Sequence, residues 1–268
     1  ALREIFLTKR DIIVISAACM PVNAGISDFR TSSGNKTSSR HLFDINTYNS
    51  DEPTSDSHRL IREISLWASR AKPTFFHYYL NDLAKDLRLL RLYDQNVDSL
   101  SFHTMVPALW ARTVALHGRL DTAICQQCGY HATFIPEQFC GKKPPWFKMG
   151  KRSRSVGFLR PKVLLYGESS PDESEITDAF KHDLRQPVDA VIIVGTRLLI
   201  PSLRRFVERL CQEAKSEGRE SITMWVNKEP PKLARRSSPS SITKSLEIVT
   251  VLLVTERGGM KIMANLLH

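Results

Sequence analysis

The chain has 268 residues, 42% hydrophobic and 25% charged, a balance that supports the core of one large domain or of one large and one small. No apolar run reaches the roughly 18 residues of a membrane helix, and the opening Ala1–Thr8 is too short and too mixed in charge for a signal peptide, so no membrane partner is expected. The net charge of +10 favours polyanionic partners. Its basic residues gather at Lys142–Arg154, Arg204–Arg209 and Lys228–Arg236. A solvated basic surface and direct nucleic-acid binding both explain them, and the charge fits work near chromatin.

Asp11–Ser16 is a β-branched run that reads as a buried strand. Ala17–Arg30 holds small residues and a glycine, as a strand-to-helix phosphate loop does. Thr31–Pro53, rich in Ser, Thr, Asn and Asp, reads as loop. Ser57–Ser69 and Thr74–Lys85 have helical spacing, with Pro73 opening the second. Leu89–Tyr93 reads as a strand running into Asp94-Gln95-Asn96. Leu120–Pro161 changes character, with three cysteines, many basic residues and prolines, and reads as a small module held by something other than a core. Val163–Tyr166 and Ala190–Val194 return to buried-strand patterns. Pro201–Ser216 is an amphipathic helix with Leu203, Phe206, Val207, Leu210 and Cys211 on one face. Ser221–Val226 and Ile248–Val254 read as strands, Lys232–Ser245 as a flexible loop and Gly259–Leu267 as a closing helix. Strands alternating with helices imply an α/β fold, a Rossmann-like doubly wound parallel sheet over residues 1–119 and 162–268. A small zinc-type module over 120–161 would be inserted in it, and ligands would bind at the carboxyl ends of the strands.

Several constellations sit at such ends. Gly25-Ile26-Ser27-Asp28-Phe29-Arg30 follows the first strand, where a fixed Asp and Arg can orient a ribose or pyrophosphate. Gln95-Asn96-Val97-Asp98 follows the second, where amide side chains can meet a nicotinamide amide or a ribose; alone it is also an ordinary polar turn. His117-Gly118 offers a base for a ribose hydroxyl. Gly195-Thr196 and Asn227 follow two later strands, the glycine allowing close backbone approach to a nucleotide. The five cysteines are odd in number and include the pair Cys125-Gln126-Gln127-Cys128, which points to metal rather than disulfides and to a reducing compartment. The second half of that zinc site is poor: Cys140 has Glu137, not a cysteine, three residues before it. A three-cysteine, one-glutamate site and a lost site both fit.

Taken in order, these pieces resemble the sirtuins, in particular their fungal branch of nuclear histone deacetylases. The likeness runs through Arg88–Leu100, Leu116-His117-Gly118, Gly150–Glu168, Val194–Cys211 and Trp225-Val226-Asn227. It implies an NAD-dependent enzyme that removes acyl groups from protein lysines, with histones as substrate and the nucleus as its place. In that chemistry the acyl oxygen attacks the nicotinamide ribose, nicotinamide leaves, and a histidine deprotonates a ribose hydroxyl. By position His117 would be that base. Ala18, Asp28, Phe29 and Arg30 would belong to the cofactor loop, Gln95 would meet the ribose, and Asn96 and Asp98 would line the nicotinamide pocket. Gly195, Thr196 and Asn227 would hold the adenosine half, and Cys125, Cys128 and Cys140 would bind zinc.

The chain also departs from that family. Its Gly-Ala-Gly-x-Ser loop aligns with Ala17-Ala18-Cys19-Met20-Pro21, so both glycines and the serine hydroxyl are gone. A loss of ~3 kcal/mol there would weaken NAD binding roughly a hundredfold. Ser27 replaces a proline, Arg197 a serine, and Asp94 a threonine, the last placing a negative charge near phosphates. The acidic residue usual near Arg257-Gly258-Gly259 is missing. A slow deacetylase is therefore expected; the alternative is a sirtuin-fold, chromatin-associated binding protein without turnover.

Overall fold

The structure is a computed structural model and describes residues 7–17, 39–103, 107–141, 143–148, 156–198, 200–215, 221–227, 249–256 and 259–266. In chain order, β1 (Ile12–Ser16) precedes two 3-10 turns, Ser39–Phe43 and Ile45–Asn49, and the long helix α1 (Asp51–Arg70). Then come α2 (Phe75–Lys85), β2 (Leu89–Asp94), the one-turn helices α3 (Leu100–His103) and α4 (Pro107–Trp110), and β3 (Thr113–Ala115). Four strands follow: β4 (Gly118–Cys125), β5 (His131–Thr133), β6 (Trp146–Lys148) and β7 (Val156–Val163), with a 3-10 turn at Pro136–Phe139. Finally come α5 (Glu173–Asp183), β8 (Ala190–Val194), α6 (Pro201–Lys215), β9 (Ile222–Val226), β10 (Val249–Glu256) and β11 (Gly259–Leu266).

The main sheet has the order β3-β2-β1-β8-β9, and every neighbouring pair is parallel. Its central strand is apolar at nearly every position because both faces are covered. Ile13 and Ile15 face Leu203, Phe206, Val207 and Leu210 of α6, while Ile12 and Val14 face Leu80, Leu83 and Ala84 of α2. Successive β1 side chains thus enter opposite cores, as the alternation of a strand requires. The fold is the expected doubly wound α/β sheet.

A second sheet, antiparallel and ordered β5-β4-β7-β6, occupies residues 118–163. The reading of this stretch as lacking a core is overturned. Ile61 and Ile64 of α1 pack with Leu120, Ala123, Cys125, Phe134, Phe139, Leu159 and Val163 in one buried cluster. Part of that core, Ile61 and Ile64, comes from a helix far away in the chain, which is why the local composition hid it.

Three further expectations change. Part of the loop over 31–53 carries the two 3-10 turns and the start of α1. The strand expected over Val163–Tyr166 instead ends at Val163, and Tyr166 makes an isolated parallel bridge to Asp44. The closing helix over Gly259–Leu267 is the strand β11, antiparallel to β10. Its sequence alternates Met260, Ile262, Ala264 and Leu266 with Lys261 and Asn265, a period of two that the helical reading passed over. Arg205 and Arg209 of the basic run on α6 are exposed, while the runs at 149–155 and 228–248 lie outside the described residues. Among the described residues no helix is long and apolar enough to cross a membrane.

Candidate active site

The parallel strands end at one level. Ser16 pairs with Asp94 on one side and Val194 on the other, Asp94 pairs with Ala115, and Val194 with Val226. Just beyond these ends, side chains form a hydrogen-bonded band across the sheet. Gln95 is at its middle. Its N–H and its Nε2 both donate to Ser16 O, at 3.0 and 3.2 Å. Thr196 Oγ1 reaches Gln95 Oε1 at 3.5 Å, and Asn227 Nδ2 donates to Thr196 O at 2.8 Å. Gly195 takes φ +68°, a conformation glycine adopts without penalty, and its N–H donates to Val226 O at 2.9 Å.

On the other flank His117 Nδ1 donates to Gln95 O at 2.9 Å. A carbonyl oxygen only accepts, so Nδ1 carries the hydrogen and Nε2 of the neutral ring is the basic nitrogen. The histidine is half-buried. Two features fix its backbone. Leu164 N donates to His117 O at 2.9 Å, and Gly118 takes φ +78° so closely against β7 that a Cβ there would lie 2.1 Å from Lys162 O.

Asn96 and Asp98 complete the group. Asp98 is buried, and its Oδ1 accepts from Leu100 N at 2.8 Å, at the start of α3. Asp94, expected near phosphates, points inward instead. Its Oδ1 accepts from Ser16 Oγ at 2.9 Å, Asn96 N at 3.0 Å and Asn96 Nδ2 at 2.7 Å, and Ser101 Oγ lies 3.3 Å from Oδ2. Burial, with the neighbouring Asp98 carboxyl adding to it, pushes the Asp94 carboxyl up to about 7. Sequence reasoning placed Asp94 only as a charge near phosphates and gave Ser16 and Ser101 no role in the site. The signal available was a serine and an aspartate closing two neighbouring strands.

The band lies where the strand order reverses. The chain moves from β1 to β2 and β3 on one side, then to β8 and β9 on the other. In open α/β sheets a dinucleotide binds in the crevice at such a point, so the described residues suit NAD. Thus His117, Gln95, Asn96, Asp98, Gly195, Thr196 and Asn227 come together at the strand ends. Ala18, Asp28, Phe29 and Arg30 lie outside the described residues. A cavity of about 340 Å³, lined by Thr113, Ala115, Arg119, His131, Lys162 and Asp172 among others, includes none of them. We place the site at the strand ends, because the hydrogen-bonded groups with basic and amide functions are there.

The cysteines form no comparable group. Cys125 is buried and Cys128 and Cys140 are exposed, all as free thiols. Burial raises the Cys125 thiol, but the N–H groups of Cys128 and Gln127 aimed at its sulfur outweigh that and lower it. Cys140 turns away: its thiol donates to Glu137 O at 2.7 Å, and Arg62 Nη1 lies 3.4 Å from its sulfur. Among the described residues no three His, Cys, Asp or Glu side chains gather closely enough to hold a metal ion. The Cys125–Cys128 turn fits half a zinc site; the four expected donors do not fit as a set.

Comparison with known proteins agrees with the fold and the order of the motifs. The chain is 37% identical over 252 residues to the NAD-dependent protein deacetylase hst4 of Emericella nidulans, covering 83% of this chain and 42% of that relative. It is 33% identical over 282 residues to the NAD-dependent histone deacetylase HST4 of Saccharomyces cerevisiae, covering 92% of this chain and 73% of that relative. The chain spans only 42% and 60% of the hst4 proteins of Emericella nidulans and Schizosaccharomyces pombe. In structure it superimposes on a mutant Sir2 homologue in complex with ADP ribose, with a TM-score of 0.70, 18% identity and coverage of 93% of this chain and 89% of the other. Sir2Tm bound to a propionylated peptide gives 0.67, 17%, 92% and 90%; at such identities the likeness speaks for the fold alone. Residues 17–202 match the Sir2 family, and with a relative above 30% identity along most of its length the chain belongs to that family.

Proposed function

We propose that this chain is an NAD-dependent protein-lysine deacetylase acting on acetylated histones, with His117 as its general base. The observation that carries the reading is the His117 Nδ1–Gln95 O bond, which puts the ring hydrogen on Nδ1 and makes Nε2 the basic nitrogen at the carboxyl ends of the sheet. NAD, when bound, supplies the ribose carbon that accepts the acyl oxygen. His117 Nε2 takes the proton of a ribose hydroxyl, a step for which a positioned base contributes about 10²–10⁴-fold. Gln95 would meet the ribose, Asn96 and Asp98 would take the nicotinamide carboxamide, and Gly195, Thr196 and Asn227 would hold the adenosine half. By the family resemblance Ala18, Asp28, Phe29 and Arg30 would belong to the cofactor loop. The replaced glycines of Ala17–Pro21 make cofactor grip the weak part, so the KM for NAD is high while the chemical residues persist.

The names of the relatives support a histone substrate and a nuclear location, while the net charge of +10 and the exposed Arg205 and Arg209 support chromatin association through its polyanionic nucleic acid. Zinc at Cys125, Cys128 and Cys140 is supported by the Cys125–Cys128 turn only, and metal analysis of purified protein tests it. Residues 120–161 with β4 and β7 then act as a small module beside the NAD-binding sheet. The deciding experiment is nicotinamide release from NAD in the presence of an acetylated histone peptide, beside a His117→Ala variant. Release by the native chain that the variant loses supports the enzyme. No release at millimolar NAD leaves a binding protein without turnover, and equal release from both rules out His117 as the base.

A further inference from the structure

Asp94 is shut between the ends of β1 and β2 and the first turn of α3, and none of its partners among the described residues is a cation. Its partners are the Ser16 and Ser101 hydroxyls and the Asn96 amide and N–H, and the charged group acting on it is Asp98. A carboxylate accepts and does not donate, so an ionised Asp94 commits Asn96 Nδ2 to itself at 2.7 Å. Asn96 Oδ1 is then the amide atom left to meet a ligand, an acceptor suited to a carboxamide N–H. We propose that Asp94 is a positioning residue of the nicotinamide subsite, fixing the Asn96 amide and, when ionised, favouring the cationic nicotinamide ring of NAD over the neutral nicotinamide that leaves.

This rests on the reading of the site given above and adds a residue to it. Burial and the like charge of Asp98 hold the carboxyl near the neutral range, so its charge changes where the protein works. The groups that face it are Ser16 from β1, Asn96 and Asp98 from its own loop, and Ser101 from α3; His117, on the neighbouring connection, faces Gln95 O. As pH rises through about 7 the pocket gains a negative charge. Binding of a cation strengthens over that interval, and binding of a neutral amide does not.

The test is calorimetric titration of NAD, and separately of nicotinamide, between pH 6 and pH 8.5 on the native chain, Asp94→Asn and Asp94→Thr, with urea unfolding to establish that each is folded. The native chain is expected to bind NAD about tenfold more tightly at the upper pH, an effect of the size a single charge–charge contact produces. Nicotinamide affinity stays level, and both variants lose the NAD slope. If a folded variant keeps the native slope, or if nicotinamide follows NAD, the proposal is wrong. If the native chain binds NAD with the slope but releases no nicotinamide from it, the proposal stands and the deacetylase reading falls. If it binds NAD at no pH, both fall.

Discussion

Gly118→Ala is the substitution whose outcome the structure specifies most closely. Gly118 has φ +78°, where an L side chain costs about 1–2 kcal/mol. Its added Cβ would sit 2.1 Å from Lys162 O, 2.9 Å from Lys162 C and 3.1 Å from Val163 Cα. All three are backbone atoms of β7, so none can swing aside, and forced overpacking of this kind adds about 1–3 kcal/mol. The total of ~3 kcal/mol is a large share of the 5–15 kcal/mol typical of a folded protein. The assay is urea unfolding of the native chain and Gly118→Ala, with Gly129→Ala as control. Gly129 has a similar φ of +69° but nothing within 4 Å of an added Cβ, so it should show only the conformational cost. Because Leu164 N–His117 O lies next to the collision, nicotinamide release by Gly118→Ala should fall about a hundredfold, the usual result of displacing a reacting group by ~1 Å. Gly118→Ala within ~1 kcal/mol of the control, with activity retained, would refute the close approach and its role in placing His117.

Other consequences concern stability. Phe139→Ala removes a ring at the centre of the cluster under the small sheet and should cost about 3–5 kcal/mol in urea. Asp183 accepts from Arg91 Nε at 2.8 Å, Arg91 Nη2 at 2.9 Å and Tyr93 Oη at 2.7 Å. Burial raises its carboxyl, but these bonds and that of His182 hold it below the usual range. Its contribution is therefore present above the unfolded-state carboxyl pKa and lost as pH falls through the lower folded one; Asp183→Ala should cost about 3–5 kcal/mol near neutrality and flatten that acid limb. Asp94 acts with the opposite sign. Its raised carboxyl gives stability that is full below about 4 and lost as pH rises through about 7, so Asp94→Asn should flatten the neutral limb of a stability–pH curve.

The sheet was legible because β1 and β8 are continuous apolar runs, and α6 because Leu203, Phe206, Val207 and Leu210 recur on one face. The small sheet's core was not, because its helix comes from Asp51–Arg70 and its strand β7 carries Arg160, Pro161 and Lys162 among its apolar residues. The strand-end residues could be named one by one from motif positions, but not their connection. Nothing in the spacing of Ser16, Gln95, His117, Thr196 and Asn227 shows that one band of hydrogen bonds joins them; that follows from the strand order and the shared level of the strand ends. Asp94 illustrates the limit most clearly. In sequence it is a charge beside a phosphate loop, and in the fold it is a buried acceptor that holds Asn96.

The central claim is that His117, held by Gln95 O, acts as the base of an NAD-dependent deacetylation. The most direct measurement is the mass of an acetylated histone peptide incubated with the protein, with and without millimolar NAD, for the native chain and His117→Ala. Loss of the acetyl mass only with NAD, slowed at least ~100-fold in a variant that unfolds at the native urea midpoint, is the predicted result. An unchanged peptide in every arm, or equal loss with native and variant chains, contradicts it.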